Sequence, residues 1–211
     1  PVILALILNY TPYQKLKKIT QTVTYAPHFL STVVVAGMLY VFLAPGSGIV
    51  NVLIRMLGGE TVDFLGDKDL FRHIYVWSGI WQNTGWASII YIAALSGVNP
   101  ELHEAAIVDG ASKLRRMWHI DIPSILPTII IILILNSGKI MNLGFEKVYL
   151  LQTAPNLATS EVISTYVYKI GLMGAQFSYA SAIGLFNNVI NFIMLLIVNN
   201  VADKTTNMGL W

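Results

Sequence analysis

The segment from Glu101 to Pro123 reads ELHEAAIVDGASKLRRMWHIDIP and gathers acids and bases between long uncharged runs. Its seven charged residues are Glu101, Glu104, Asp109, Lys113, Arg115, Arg116 and Asp121. The stretch HEAAI imitates the start of the zinc-protease motif H-E-x-x-H, but its fifth residue is Ile107 and no histidine is suitably spaced. We therefore assign no metal ligand here, and interpret the charges as groups that orient a docking partner.

Other chemistry finds little support in the sequence. The motif G-x-x-x-x-G-K-[ST] does not occur, so ATP is not expected to bind this chain. Without a G-x-S-x-G nucleophile elbow we name no catalytic residue, although one sequence does not exclude a Ser/His/Asp triad. The sequence has no cysteine, which excludes disulfides, thiolate metal sites and cysteine catalysis.

Polar side chains also lie in the middle of apolar runs, where they are costly in lipid and usually face a cavity or another helix. The candidates for lining a substrate cavity are Trp81, Gln82, Asn83, Trp86, Asn136, Asn187 and Asn191. Aromatic faces and amides together suit sugars, whose C–H faces are apolar and whose hydroxyls need donors and acceptors. Hydrogen bonding between spans is the alternative, and both interpretations stay open.

The composition indicates the elements that position these groups. The 211 residues are 55% hydrophobic and only 11% charged, whereas a soluble domain has roughly 25% charged residues. Mean hydropathy is +0.63. The net charge of +2 suggests no nucleic-acid partner. These values predict an all-α, polytopic transmembrane protein.

A bilayer core about 30 Å thick needs ~20 apolar helical residues to cross it. We predict one transmembrane domain over 1–211, with a partial span at 1–9 and full spans at 26–45, 73–95, 122–143 and 177–202. The loop at 99–121 links two of these spans. Because the chain opens at Pro1 inside an apolar run, we expect part of a helix upstream.

Local signals predict that this loop is a helix–glycine–helix elbow. Asn99–Pro100 is a helix start, with Asn as N-cap and Pro at the first helical position. Gly110 is placed to end this helix in the left-handed conformation. A second short helix is expected at about Ala111–His119, closed by Pro123. A polar connector that rests on the lipid headgroups is the alternative interpretation.

The spacing within the elbow resembles the EAA loop of ABC-importer permeases. Glu104-Ala105-Ala106 is followed by Gly110, Ile120 and Pro123 at the positions of that pattern, with one departure, Ile122 in place of leucine. The resemblance extends along the whole chain to the carbohydrate-uptake permeases, in the subgroup for complex or polysaccharide-derived sugars. The matching stretches are NSGKIMNLGFEKVYLL, STYVYKIGL, SYASAIGLFNNVI and the terminal GLW.

This resemblance implies a type I ABC-importer permease fold in which the elbow is the coupling helix. It assigns ATPase coupling to Glu104, Ala105, Ala106, Asp109, Gly110 and Ala111. The expected partners are a second permease in a heterodimer, two cytoplasmic ATPase subunits, which carry ATP and Mg, and an extracytoplasmic sugar-binding protein that delivers an oligosaccharide. The chain itself is then not an enzyme and carries no cofactor. The resemblance also implies that the family's usual N-terminal portion, including its first span, is missing from this sequence.

Orientation is less strongly indicated by the charges. Two basic clusters, one at 15–18 and one at 113–116, lie close to span ends. The positive-inside rule places such clusters in the cytoplasm, so we expect the elbow and the C-terminus to be cytoplasmic in a bacterial inner membrane. A secondary transporter or channel with a cytoplasmic amphipathic loop is the runner-up, although such proteins often carry a mid-membrane charge. An intramembrane enzyme is a third interpretation, for which no catalytic cluster is found.

Overall fold

Every regular element in residues 1–210, the part of the chain that the computed structural model describes, is helical. The predicted all-α fold is confirmed. The helices are α1 (Val2–Tyr10), α2 (Gln14–Tyr25), α3 (Thr32–Leu43), α4 (Ile49–Met56), α5 (Lys68–Ser96), α6 (Pro100–Val108), α7 (Lys113–Arg116), α8 (Ile122–Ser137), α9 (Phe145–Leu151), α10 (Leu157–Ser160), α11 (Ile163–Val167) and α12 (Phe177–Thr206). Trp211, the last residue of the GLW stretch, lies outside the described residues.

The chain divides into two compact units. The first comprises Pro1–His28, Trp81–Gly138 and residues 192–210. Its core joins α1, the second half of α5 and α8 through the buried residues Ala5, Leu6, Tyr91, Leu95 and Ile125. Gly85 lets α2 lie directly against α5, because a Cβ atom there would collide with the carbonyl of Thr24. This unit contains the elbow.

The second unit comprises Phe29–Ile80 and Lys139–Asn191. Its core is formed by Ala36, Leu65, Phe71, Val148 and Leu151. Buried side-chain amides bond to the backbone carbonyls of its loops, which would otherwise bond to water. The Nδ2 of Asn156 donates to the carbonyls of Leu65 (2.8 Å) and Leu151 (3.0 Å), which joins segments far apart in sequence.

Within residues 1–210, two helical runs are long and apolar enough to cross a membrane. They are Lys113–Ser137, which joins α7 to α8, and α12, each with a mean hydropathy of 2.0. At ~1.5 Å per residue both exceed the ~30 Å of a bilayer core. Only 6% of the most apolar part of α12 is buried within the chain, so its surface is left for lipid or other subunits.

The predicted span at 26–45 is not a single straight helix. The chain bends by 100° between Gln14–Phe29 and Thr32–Leu43, and α3 begins where the side chain of Ser31 accepts a hydrogen bond from Val34 N. Twelve residues of α3 extend about 18 Å, less than a bilayer core. Apolar composition alone does not reveal such a bend.

The other predicted spans differ from the helices mainly at their ends. Helix α5 (Lys68–Ser96) extends past 73–95 at both ends and has the length of a span, but its polar side chains make it less apolar than α12. Helix α8 ends at Ser137, before the predicted limit of 143, and α12 extends beyond 202. The assignment of one transmembrane domain with these spans stays a prediction.

Candidate functional site

The elbow begins as its sequence signals predict. The Oδ1 of Asn99 accepts a hydrogen bond from Glu101 N (3.0 Å), and Pro100 occupies the first position of α6. The helix ends at Val108, and Gly110, two residues later, has a φ of +74° in the left-handed region. There the Gly110 N–H donates to the Ile107 carbonyl and the Ala111 N–H donates to the Ala106 carbonyl, which satisfies the last turn of the helix.

The second half of the elbow differs from the prediction of a separate short helix closed by Pro123. Ser112 caps α7 by accepting from Arg115 N (3.3 Å), and the helix then runs without a break to Ser137. A π-helical turn at Met117–Asp121 precedes the proline. Because proline lacks an N–H group, a helix can pass through it where the local hydrogen-bond pattern shifts. The second half of the elbow is therefore continuous with a helix of membrane-spanning length.

Four of the six predicted coupling residues are exposed on the surface of the elbow. Glu104, Ala105, Asp109 and Gly110 are exposed, while Ala106 and Ala111 are half-buried. Large apolar side chains beside them are also exposed, with Val108 at 88%, Leu114 at 67% and Trp118 at 65%. A cavity of about 240 Å³ lies within the elbow, lined by Ala106, Asp109, Ala111, Arg115, Arg116, His119 and Ile120. An exposed apolar surface flanked by charges fits a protein partner.

In the second unit, the structure separates the two asparagines predicted to share one cavity-lining face. Asn187 lines a cavity of about 570 Å³, and its Nδ2 donates to the Oδ1 of Asn142 (2.9 Å). Asn191 is buried, and its Oδ1 accepts from Met141 N (3.1 Å). Asn191 thus holds the chain that follows α8 in place, whereas Asn187 faces the cavity.

Apart from Asn187, the residues that line this cavity were not identified by the sequence reasoning. Its walls are Phe145, Ile163, Ser164, Val167, Tyr168, Gly171, Leu172, Phe177, Ala180, Ser181, Gly184, Asn187 and Asn188. The rings of Phe145 and Tyr168 are 4.9 Å apart, and Tyr149 packs against both. The volume falls within the ~300–1,000 Å³ range of small-molecule sites. Aromatic faces beside amides and hydroxyls are the groups that sugars require.

In the first unit, a histidine joins two of the candidates on α5. The ring of His28 stacks on Trp86, with centroids 4.7 Å apart, and its Nδ1 lies 3.2 Å from the Oδ1 of Asn83. Trp81 is 48% exposed, Gln82 is half-buried, and Asn136 is exposed on α8. The sequence reasoning missed His28 because it lies 55 residues from Asn83.

A buried lysine in the second unit was also missed. Lys147 is only 9% exposed; its Nζ donates to the Tyr75 carbonyl (3.3 Å) and lies 5.2 Å from the centre of the Tyr75 ring. Among the residues that the structure describes, no carboxylate forms an ion pair with it. Burial lowers the pKa of the Lys147 ammonium to about 8.

This burial predicts a pH-dependent stability. Between pH 8 and 10.5, the ordinary pKa of lysine, the unfolded chain binds more protons at Lys147 than the folded protein does. The free energy cost of burying the charged ammonium is therefore lost as the pH rises through this range, and the folded protein becomes more stable. The melting temperature of the full-length protein should therefore rise from pH 7.5 to 9.5 relative to that of Lys147→Met. At pH 7.5 the variant should melt higher than the wild type.

The matched control is Lys139→Met, which removes an exposed lysine from the same unit. Its melting curve should stay parallel to that of the wild type across the same pH range. Parallel profiles for the wild type and Lys147→Met would contradict a buried, destabilised ammonium.

The family model described as "Binding-protein-dependent transport system inner membrane component" matches residues 2–206. The chain is 43% identical over its full length to the polygalacturonan/rhamnogalacturonan transport system permease protein YteP of Bacillus subtilis, and 44% identical to Protein LplB of the same species. It spans 66% of the length of each of these two relatives.

Solved structures give the same result. The chain matches the crystal structure of a bacterial ABC transporter involved in the import of the acidic polysaccharide alginate with a TM-score of 0.95 and 40% identity, over 98% of this chain and 72% of that one. A second structure, of the alginate ABC transporter in complex with an alginate pentasaccharide-bound periplasmic protein, matches with a TM-score of 0.96 and 40% identity, over 100% and 73%. The resemblance stated from the sequence is confirmed.

Proposed function

Because the chain belongs to the family of binding-protein-dependent transport system inner membrane components, we propose that it is the membrane-spanning permease subunit of an ATP-driven oligosaccharide importer. The observation that carries this proposal is the elbow. Its EAA spacing folds into a capped helix, a left-handed glycine and a second helix that continues to Ser137. A partner that moves the elbow would therefore move a long helix with it.

The partners follow from this role. We propose that a second permease forms a heterodimer with this chain, and that two cytoplasmic ATPase subunits bind ATP and Mg. Glu104, Ala105, Ala106, Asp109, Gly110 and Ala111 form the surface that docks on an ATPase. The exposed apolar residues Val108 and Leu114 support this assignment, because a partner's groove would remove them from water. An extracytoplasmic binding protein delivers the substrate.

The proposed substrate is an oligosaccharide released from an acidic polysaccharide. Two relatives that are at least 40% identical support this class, since their names refer to polygalacturonan and to alginate. The cavity beside Asn187 fits a sugar, with Phe145, Tyr168 and Phe177 as stacking faces and amides as hydrogen-bond partners. Trp81, Gln82, Asn83, Trp86 and Asn136 remain proposed contacts along the path, and the hydrogen bond of Asn191 favours a positioning role instead.

Transport would proceed by alternating access. Closure of the ATPase pair on ATP pushes the elbow, and the continuous helix Lys113–Ser137 carries this movement into the membrane. The cavity then opens outward to the docked binding protein, and ATP hydrolysis returns it to the inward state. This chain contributes the cavity walls and the helix Lys113–Ser137 that transmits the movement, while the ATPase subunits hydrolyse ATP.

The proposal requires the elbow and the C-terminus to face the cytoplasm of a bacterium, with the loops at 46–69 and 143–176 outside. Since the sequence has no cysteine, single cysteines report the side directly. We choose Thr61, Lys113 and Ala158, which are exposed. Intact cells with a permeabilised outer membrane should label Thr61→Cys and Ala158→Cys with an impermeant maleimide. Lys113→Cys should react only after lysis.

The three positions control for one another, because all are exposed and should label equally in detergent. Rapid labelling of Lys113→Cys in intact cells would invert the topology. The elbow would then be inaccessible to any cytoplasmic ATPase, and the importer proposal would be wrong.

A further inference from the structure

A fully buried carboxylate, Asp121, contacts side chains of two helices in the first unit, α1 and α6. Asp121, in the π-helical turn before α8, has no exposed surface. Its Oδ2 accepts a hydrogen bond from the Tyr10 hydroxyl at 2.5 Å. Its Oδ1 lies 3.2 Å from the Nε2 of His103 on α6. One side chain thus contacts the end of α1 and the middle of the proposed coupling helix.

A buried carboxylate is costly unless donors surround it, so each donor matters. Oδ1 has no well-aligned hydrogen bond in this conformation, which leaves the nearby His103 nitrogen as its available donor. Burial and then the hydrogen bond to Asp121 raise the pKa of the Tyr10 phenol, so Tyr10 stays protonated and donates. The Arg116 guanidinium lies 5.7 Å from the centre of the Tyr10 ring and adds positive charge nearby.

Helix α6 otherwise packs only loosely against the rest of the first unit. None of its residues is buried. His103 directly precedes Glu104-Ala105-Ala106, and its ring lies edge-on to Tyr10 with centroids 6.4 Å apart. The contact between His103 and Asp121 therefore connects the middle of an exposed helix to a buried atom on the helix Lys113–Ser137. A movement of α6 relative to α8 would therefore change the distance between His103 and Asp121.

From this geometry we propose that Asp121 is a positioning residue that couples α6 to α1 and α8, by holding His103 and Tyr10 on one carboxylate. The proposal rests on the proposed function, in which α6 receives the ATPase movement. The contact adds a second connection between α6 and the helix Lys113–Ser137, besides the backbone that joins them at Gly110. Without the carboxylate, α6 would move about the turn at Gly110 and the helix Lys113–Ser137 would follow incompletely.

Amide hydrogen exchange on the purified full-length protein tests the connection without reference to transport. His103→Phe and Tyr10→Phe each keep a ring and remove a donor, and Asp121→Asn keeps the volume and removes the charge. Amides of α6 should exchange about fivefold faster in His103→Phe and Asp121→Asn. His119→Phe is the matched control, because His119 lies on the same elbow but contacts the Arg115 carbonyl. Unchanged α6 exchange in both test variants would overturn the proposal.

The functional arm uses the complex with its partner permease, ATPases and binding protein in proteoliposomes. The ratio of oligosaccharide imported to ATP hydrolysed should fall about fivefold in His103→Phe and Tyr10→Phe. It should stay near the wild-type value in His103→Gln, whose amide restores a donor. If His103→Phe does not assemble, His103→Phe combined with Asp121→Leu removes the unpaired charge and should assemble but stay poorly coupled. Normal coupling in that double variant would overturn the proposal.

The two proposals fail differently. A wild-type complex that shows no binding-protein-stimulated uptake contradicts the importer function, and the exchange result then decides alone whether Asp121 holds α6. Normal wild-type uptake with wild-type coupling in His103→Phe and Tyr10→Phe contradicts only the role of Asp121.

Discussion

Gly110→Pro is expected to reduce oligosaccharide uptake by roughly tenfold or more while the protein still inserts and assembles. Gly110 has a φ of +74°, whereas proline fixes φ near −65°. Proline also removes the N–H group that donates to the Ile107 carbonyl at the end of α6. The elbow would therefore open at its turn, and the docking surface would lose its angle to the helix Lys113–Ser137.

Gly110→Ala tests the effect of the backbone conformation at this position separately from the effect of side-chain volume. A Cβ atom there would meet nothing within 4 Å, so its cost arises from the left-handed backbone alone, about 1–2 kcal/mol. We expect an intermediate loss of uptake. Gly97→Ala is the matched control just before the elbow, because its added Cβ makes only an ordinary contact with the Ala94 carbonyl, at 3.5 Å.

The measurement is binding-protein-stimulated ATPase activity together with uptake in proteoliposomes. Uncoupling predicts that Gly110→Pro keeps basal ATPase activity and loses both the stimulation and the uptake. Glu104→Lys adds a test of the docking charge, since Glu104 is exposed and its reversal should leave the fold intact. Full stimulation and uptake in Gly110→Pro and in Glu104→Lys would remove the coupling role from the elbow.

The elbow was predictable because its signals are local. Asn99, Pro100 and Gly110 each act on backbone groups within a few residues, and the structure shows the cap, the first-turn proline and the left-handed glycine. The continuation through Pro123 was not predictable, since it depends on a π-helical turn that no residue type marks. The bend between Phe29 and Thr32 was missed because hydropathy counts apolar residues and is blind to chain direction.

Contacts between distant residues explain the other omissions. Tyr10 and Asp121 are 111 residues apart, and Lys147 donates to a carbonyl 72 residues away. Helical spacing placed Asn187 and Asn191 on one face, but neighbouring segments decide which of them lines a cavity. The sequence therefore indicated the types of residue to expect in a sugar cavity, whereas the packing of α9, α11 and α12 decides which residues line the cavity of the second unit.

Gly184→Leu should block the cavity beside Asn187 and lower uptake by roughly tenfold or more. Gly184 lines the cavity on α12, and a Cβ atom there meets nothing within 4 Å, so the leucine side chain can occupy the open volume. Leucine has a higher helix propensity than glycine, which is about 0.8–1.0 kcal/mol less favourable than alanine in a helix interior, so loss of transport should not reflect loss of the helix. The measurement is uptake of acidic oligosaccharides in proteoliposomes, with basal ATPase activity measured in parallel.

Gly37→Leu is the matched control. Gly37 is also helical, is exposed on α3, and has nothing within 4 Å of an added Cβ, but it does not line this cavity. Because both substitutions add the same apolar side chain to a helix surface, a general effect on insertion would appear in both. Uptake lost only in Gly184→Leu, with basal ATPase activity retained, identifies the cavity as part of the sugar path. Wild-type uptake in Gly184→Leu would contradict that assignment and leave the aromatic groups around Asn187 with a packing role.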